Sequence, residues 1–316
     1  MRALITGCNG FVGRYLSEYL QSVGREIIGI DVQEKSYFRW MEYRSLDISK
    51  SHELKRFYEK IFVDEIYHLA AVANTRTANK EPQKAVDVNV GGTTNLCELV
   101  RQNRDVKLLV IGTSQEYKVK SGSDVVYVED DQLEAGSIYG ASKICAELIG
   151  LEYQRQYDLD IYFTRSFNHS GPGQESSYVL SDFAKQCVEI KFGRKEAVLN
   201  VGNIDVSRDF LDVRDVVSAY VDIVTKGEAG EVYNVCSGKT YLLRDLLKIL
   251  ISYTGRHDIK VHEDLDRIRN KDPFEIRGDN TKLTHQTRWR QRVAVQTMLK
   301  DLFLSWEEYL LRQSKV

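Results

Sequence analysis

A chain of 316 residues, 42% of them hydrophobic, can bury a substantial core, and it contains no apolar run of the roughly 18 residues needed to span a bilayer. The net charge of -2 argues against a nucleic-acid partner, and five scattered cysteines without a C-x-x-C pair argue against a disulfide framework or a zinc site. The histidines lack ligand spacing, so no metal is expected; no basic region precedes a cleavable apolar stretch, so cytoplasmic residence and no membrane attachment are expected.

Residues 1 to 13 read as strand, glycine turn and helix start. Ala3, Leu4 and Ile5 form a short apolar run; Gly7, Gly10 and Gly13 follow in G-x-x-G-x-x-G spacing; Leu16, Tyr19, Leu20 and Val23 then continue from Phe11 and Val12 at helical intervals. Glycines let the backbone turn tightly and approach a pyrophosphate, whose charge rests on the N–H groups of a helix N-terminus. Gly7, Gly10, Phe11, Val12 and Gly13 are therefore cofactor candidates, although a βα turn that holds nothing gives the same pattern. A second strand over Glu26 to Ile30 ends on Asp31, placed to accept from an adenosine ribose and to repel a 2′-phosphate, which favours NAD(H) and leaves NADP(H) as the second choice.

Glu42 to Ser45 reads as a third strand. Asp47, in Leu46-Asp47-Ile48, either accepts from an adenine amino group or caps a helix beginning near Ser49 to Ser51, and Ile48 accompanies it. Glu65 to Leu69 is another strand, and the small residues of Leu69-Ala70-Ala71 permit close passage of a dinucleotide. A helix is expected over Pro82 to Asn103, with an apolar stripe of Val86, Val90 and Leu96 and with Asn89 inside it. Val106 to Gly112 is the next strand, with Thr113-Ser114-Gln115-Glu116-Tyr117 at its carboxyl end, where ligands of open α/β sheets bind. This alternation predicts an α/β fold with a Rossmann-type doubly wound parallel sheet.

Tyr139 and Lys143, four apart on a helix expected over Ser137 to Tyr157, share a face. A close ammonium stabilises a phenolate, and bringing a phenol from about 10 to about 7 takes about 4 kcal/mol. Tyr139 then becomes an acid or base usable near neutrality, and Thr113 can bond the same substrate oxygen.

The glycine run, Asp31, Thr113, Tyr139 and Lys143 together resemble the extended short-chain dehydrogenase/reductase family, nucleotide-sugar branch. The narrower likeness is to GDP-4-keto-6-deoxymannose reductases. It runs through Gln115-Glu116-Tyr117, through Asn168-His169-Ser170-Gly171-Pro172-Gly173-Gln174, through Ser207-Arg208-Asp209-Phe210 and through Val232 to Gly238. The resemblance implies that Tyr139 donates a proton, that Lys143 lowers its pKa and holds the nicotinamide ribose, and that Thr113 orients the substrate oxygen. It further implies cofactor contacts from Asn89 and His169, and substrate contacts from Ser114, Gln115, Glu116, Asn168, Arg208, Arg269 and Asp272. The family's dehydratases carry a titratable glutamate where this chain has Gln115, so water loss is disfavoured.

The expected activity is therefore hydride transfer from NAD(P)H to C4 of a GDP-4-keto-6-deoxy sugar, by a homodimer. An epimerase, a reductase of a GDP-4-keto-6-deoxy-heptose, and a non-catalytic dinucleotide-binding regulatory protein are the alternatives. The expected division is a dinucleotide domain over 1–167 and about 208–237, with a smaller C-terminal α/β nucleotide-sugar lobe over about 168–207 and 238–316.

Overall fold

The computed structural model describes residues 1–120, 122, 125–264, 267 and 273–313. Arg269 and Asp272 lie outside these residues.

Strands β1 (Arg2–Thr6), β2 (Glu26–Asp31), β3 (Glu42–Ser45), β4 (Glu65–His68), β5 (Lys107–Thr113), β7 (Ile161–Ser166) and β11 (Val232–Val235) form one seven-stranded sheet in the order β11-β7-β5-β4-β1-β2-β3. Every pairing in it is parallel. Both faces are covered, so its inner strands are apolar on successive residues. Ala3, Ile5, Tyr67, Leu109 and Tyr162 face a core shared with helices α1 (Phe11–Ser22), α8 (Val213–Lys226) and α10 (Thr281–Thr287). Leu4, Ile28, Ile66, Leu108 and Phe163 face the opposite core, under α2 (Ser51–Tyr58), α5 (Gly92–Gln102) and α6 (Ile138–Tyr157).

The chain leaves β1 toward β2 and β3, then returns to build β4, β5, β7 and β11 on the other side. The topological switch point is thus between β1 and β4, where the carboxyl ends of two strands diverge and open a crevice.

The expected helix over Pro82 to Asn103 is not uniform. After α3 (Thr75–Lys80), α4 (Pro82–Val86) leads into a π turn over Asp87–Gly91 before α5 resumes. The Thr93 hydroxyl donates to the Asn89 carbonyl at 2.6 Å, a back-bond that competes with the helical ladder. Val86 is consequently exposed instead of lining an apolar stripe, and Ala85 and Asn89 are buried in its place.

A second sheet has β12 (Thr240–Leu242), β10 (Ser207–Asp212), β14 (Glu275–Gly278) and β6 (Val126–Tyr127) in that order, with β8 (Asn168–Ser170) pairing β10. Nearby, β9 (Val198–Val201) pairs β13 (Lys260–Glu263). Helices α7 (Val179–Lys191), α9 (Leu243–Ser252) and α11 (Val295–Gln313) pack around Leu199, Val201 and Phe210 in a core separate from those of the large sheet. Of segment 208–237, β10 therefore pairs in the second sheet, whereas α8 and β11 join the first.

Candidate active site

The crevice floor is made of backbone. Gly7 sits at φ +71°, and its N–H donates to the Ile30 carbonyl at 2.8 Å. A Cβ there would lie 2.8 Å from Ala70 N, and one on Gly13 would lie 2.8 Å from Cys8 Cα. Glycine thus brings the ends of β1 and β4 and the start of α1 closer than side chains allow. Gly10 caps α1 without a side-chain acceptor, so no N-cap side chain covers the first-turn N–H groups of Phe11, Val12 and Gly13. That narrow, donor-lined cradle fits a pyrophosphate.

Asp31 stands at the tip of β2, where its two carboxylate oxygens accept from Asn9 N and Gln33 N, each at 3.2 Å. Asn9 was not among the expected site residues. Its side chain accepts from Tyr37 N at 2.8 Å and donates to the Lys35 carbonyl at 2.9 Å, fastening the loop beyond β2 to the glycine turn. A polar residue inside the glycine run was its only signal.

Asp47 does not take the second of its two expected roles, the cap of the following helix. Its Oδ1 accepts from the N–H and hydroxyl of Ser49 at 2.9 and 2.8 Å, closing a local turn, while α2 is capped by Lys50 without a side-chain bond. Ile48 points away from the crevice into the core; a Cβ on Gly92 would collide with it, and its carbonyl accepts from Asn95 Nδ2 at 2.8 Å.

Asn89 also departs from expectation, because protein groups use its amide. Oδ1 accepts from Val72 N at 2.8 Å and Nδ2 donates to Ser142 Oγ at 2.9 Å; Ser142 in turn donates to the Tyr139 carbonyl at 2.8 Å. It braces the segment after β4 against the first turn of α6 instead of facing a cofactor.

A buried chain of hydrogen bonds extends this brace. Since Thr93 spends its proton on the Asn89 carbonyl, it accepts from His68 Nε2 at 3.0 Å. Burial, reinforced by the Lys143 charge, lowers the His68 pKa to about 3, so the ring is neutral with its one proton on Nε2. Nδ1 then accepts from Thr6 Oγ1 at 2.9 Å, and Thr6 accepts from Ala70 N at 3.0 Å. Thr6, His68 and Ser142 lie outside the expected set; their isolated polar positions within apolar strands and helices were the available clue.

Thr113, Tyr139 and Lys143 form a mostly buried wall on the β5 side of the crevice. Ser137 caps α6 by accepting from Gly140 N at 3.1 Å, and a Cβ on Gly140 would lie 2.8 Å from the Gln115 carbonyl. The helix can thereby press Tyr139 toward Thr113. The expected depression of the Tyr139 pKa is absent. Burial pushes the phenol well up, the Glu116 charge adds to this, and only the Thr113 hydroxyl opposes it. Lys143 donates to the Ile111 carbonyl at 2.8 Å; burial lowers its pKa to about 8, with Glu116 pulling the other way.

The expected substrate residues divide. Gln115 is exposed and accepts from Thr75 Oγ1 at 3.2 Å, and Ser114 beside it is half-buried. Glu116 is wholly buried behind the wall, where Oε1 accepts from Thr113 N at 2.6 Å, so it cannot meet a substrate. Asn168 is exposed. The His169 ring lies parallel to Phe11, at 6.3 Å between centroids, and donates through Nδ1 to the Phe167 carbonyl at 3.0 Å; burial lowers its pKa, keeping it neutral. The following loop is tied to α1 by Tyr15, whose hydroxyl donates to the Pro172 carbonyl at 2.8 Å, and by Arg14, which donates to the Gly173 carbonyl at 3.1 Å. Arg208 is buried, with Nη1 donating to the Ser207 and Phe274 carbonyls at 2.8 and 3.4 Å.

A glycine cradle at the switch point of a doubly wound sheet, facing a threonine, tyrosine and lysine wall, defines an extended short-chain dehydrogenase/reductase. The chain belongs to the GDP-mannose 4,6 dehydratase family of NAD(P)-dependent nucleotide-sugar enzymes, whose model matches residues 4–302. It is 30% identical over 307 residues to the GDP-6-deoxy-D-mannose reductase of Pseudomonas aeruginosa, covering 97% of both chains. It is 26% identical to GDP-mannose 4,6 dehydratase 1 of Arabidopsis thaliana, over 98% of this chain and 92% of that one. The structure of Pseudomonas aeruginosa RMD complexed with NADPH superposes with a TM-score of 0.87 at 29% identity, covering 98% of this chain and 99% of that one. The UDP-glucose 4-epimerase of Thermotoga maritima shares the fold at a TM-score of 0.88 and 23% identity, over 98% and 100% of the two chains.

Proposed function

We propose that the protein is a reductase of a GDP-4-keto-6-deoxy sugar, giving a GDP-6-deoxyhexose such as GDP-D-rhamnose. The observation that carries this reading is the Thr113–Tyr139–Lys143 wall standing beside Gln115, a neutral side chain where the resemblance places the acid–base glutamate of dehydratases. Likeness to the Pseudomonas aeruginosa reductase supports it. When bound, the nicotinamide cofactor supplies a hydride to C4 and is itself oxidised. Tyr139 holds the proton for the C4 oxygen, and its raised pKa keeps that proton in place until an alkoxide develops. Thr113 aligns the same oxygen, while the Lys143 ammonium favours the negative charge that passes through this region.

Gly7, Gly10, Phe11, Val12 and Gly13 would hold the pyrophosphate, Asp31 the adenosine ribose, and Leu69, Ala70 and Ala71 the adjoining crevice edge. The Asp31 carboxylate supports NADH as the preferred donor, and the NADPH complex of the Pseudomonas aeruginosa protein supports NADPH as the alternative. Ser114, Gln115, Asn168 and Arg208 are assigned to the nucleotide-sugar, with His169 at the nicotinamide end. A homodimer is what the family resemblance implies. Steady-state assays with GDP-4-keto-6-deoxymannose and each reduced cofactor test the reading. Net cofactor oxidation, faster with NADH at equal concentration, is expected; a lack of oxidation with both refutes it.

A further inference from the structure

Two loops flank the N-terminus of α1, and they are held in different ways. The turn after β8 is fastened from within and from two helices. Buried Gln174 donates through Nε2 to the His169 carbonyl at 3.0 Å and accepts through Oε1 from Ser170 Oγ at 2.7 Å, while its own carbonyl takes the Ser181 hydroxyl of α7 at 2.6 Å. Tyr15 and Arg14 of α1 then hold the Pro172 and Gly173 carbonyls. The loop over residues 32–40, between β2 and β3, has no such seat. All of its residues are exposed except Ser36 and Phe38, which are half-buried, and a segment with so little burial opens at small cost.

Arg14 joins the two. Its Nη2 donates to the Gly173 carbonyl at 3.1 Å, and its guanidinium carbon stands 4.7 Å from the centre of the Tyr37 ring in the exposed loop. Its Nε is buried without a hydrogen-bond partner. An orphaned buried donor is a cost to the fold, so stability alone does not account for an arginine here. A dinucleotide extending from Asp31 to the wall of Thr113, Tyr139 and Lys143 crosses the first turn of α1, and so passes between these loops.

We propose that loop 32–40 is a flap over the adenosine end of the dinucleotide and that Arg14 is its latch: seated on the fixed turn through Gly173, it holds Tyr37 and thereby sets how fast the cofactor enters and leaves. This rests on the assignment of the glycine turn and Asp31 to the cofactor, and not on the identity of the sugar. Because the latch is made of protein groups alone, weakening it frees entry and release alike, and affinity, the ratio of the two rates, stays put. A side chain that gripped the cofactor itself would instead speed release only.

Stopped-flow fluorescence without sugar, using whichever of NADH and NADPH wild type binds more tightly, gives both rate constants. Wild type, Tyr37→Leu, Arg14→Met and the double variant are compared at about 0.5 M salt, where the lost arginine charge has little effect on encounter. Near-ultraviolet circular dichroism checks folding. Tyr37→Leu removes the ring but keeps the backbone N–H that Asn9 accepts, so both rate constants should rise about three-fold. Arg14→Met loses the Gly173 bond as well and should raise both about ten-fold, with Kd within about two-fold of wild type. The double variant should be no faster than Arg14→Met, since both changes break one contact. Unchanged rates would overturn the proposal. So would faster release with unaltered entry, which would make Arg14 a direct cofactor contact, and so would additive effects in the double variant. Failure of the cofactor assignment shows separately, as a Gly13→Ala variant with unaltered affinity.

Discussion

The glycine turn and the catalytic wall stand at the carboxyl ends of strands in one sheet, yet they are built by opposite means. The turn works by omission: missing side chains let three backbone segments meet, and any added carbon intrudes. The wall works by accumulation, with polar and charged groups buried together so that each must be satisfied by the next. A backbone cradle tolerates little steric change but is indifferent to pH. A buried polar wall tolerates shape changes that preserve its bonds and is sensitive to any altered charge.

Mutation can sharpen that contrast. Tyr139→Phe should cost turnover about a hundred-fold or more, the usual size of a general-acid contribution, while NADH affinity stays within about two-fold. Unchanged turnover would remove Tyr139 from its role. Gly13→Ala should do the reverse and weaken NADH binding by more than about ten-fold in a fluorescence titration, because the new carbon meets Cys8 Cα and the Gly7 carbonyl. Unaltered NADH affinity would show that the turn does not cradle the cofactor.

His68→Phe tests the brace between the two regions. It keeps a ring but leaves the Thr6 hydroxyl proton without its acceptor and removes the bond that Thr93 accepts, so chemical denaturation should show a loss of about 1–3 kcal/mol. Turnover should fall more than NADH affinity, since the chain ends at the Tyr139 backbone; equal loss of both would make the network a general support only. The smallest effect is expected for Asp31→Asn, whose single amide oxygen keeps one of the two bonds accepted from Asn9 N and Gln33 N and which relieves repulsion of a 2′-phosphate. The NADPH-to-NADH ratio of kcat/KM should rise by about ten-fold. A constant ratio would detach Asp31 from cofactor choice.

The same contrast explains what was legible in the sequence. Gly7, Gly10 and Gly13 have a fixed spacing because the backbone needs them there, and β1, β2, β4 and β5 show as apolar runs because both sheet faces are buried. Thr113, Tyr139 and Lys143 were readable as types at a strand end and along one helix face. Their electrostatics were not, because the Tyr139 pKa depends on burial and on Glu116, and the sequence shows no depth. Asn89 and Glu116 looked like ligand contacts since polar residues near a site commonly are; only their partners, Val72 and Ser142 in one case and Thr113 in the other, reveal them as internal supports. The π turn at Asp87–Gly91 was likewise hidden, because the sequence pattern there is helical throughout; within it the Thr93 and Thr94 hydroxyls donate to the Asn89 and Val90 carbonyls.

The most direct measurement of the proposed chemistry uses NADH carrying deuterium at the transferred position, with GDP-4-keto-6-deoxymannose as acceptor and NMR of the isolated product. The wall and cradle described here predict one deuterium at C4 of a GDP-6-deoxyhexose for each cofactor oxidised. A product isomerised without net oxidation, or a reduced sugar without deuterium at C4, would contradict it.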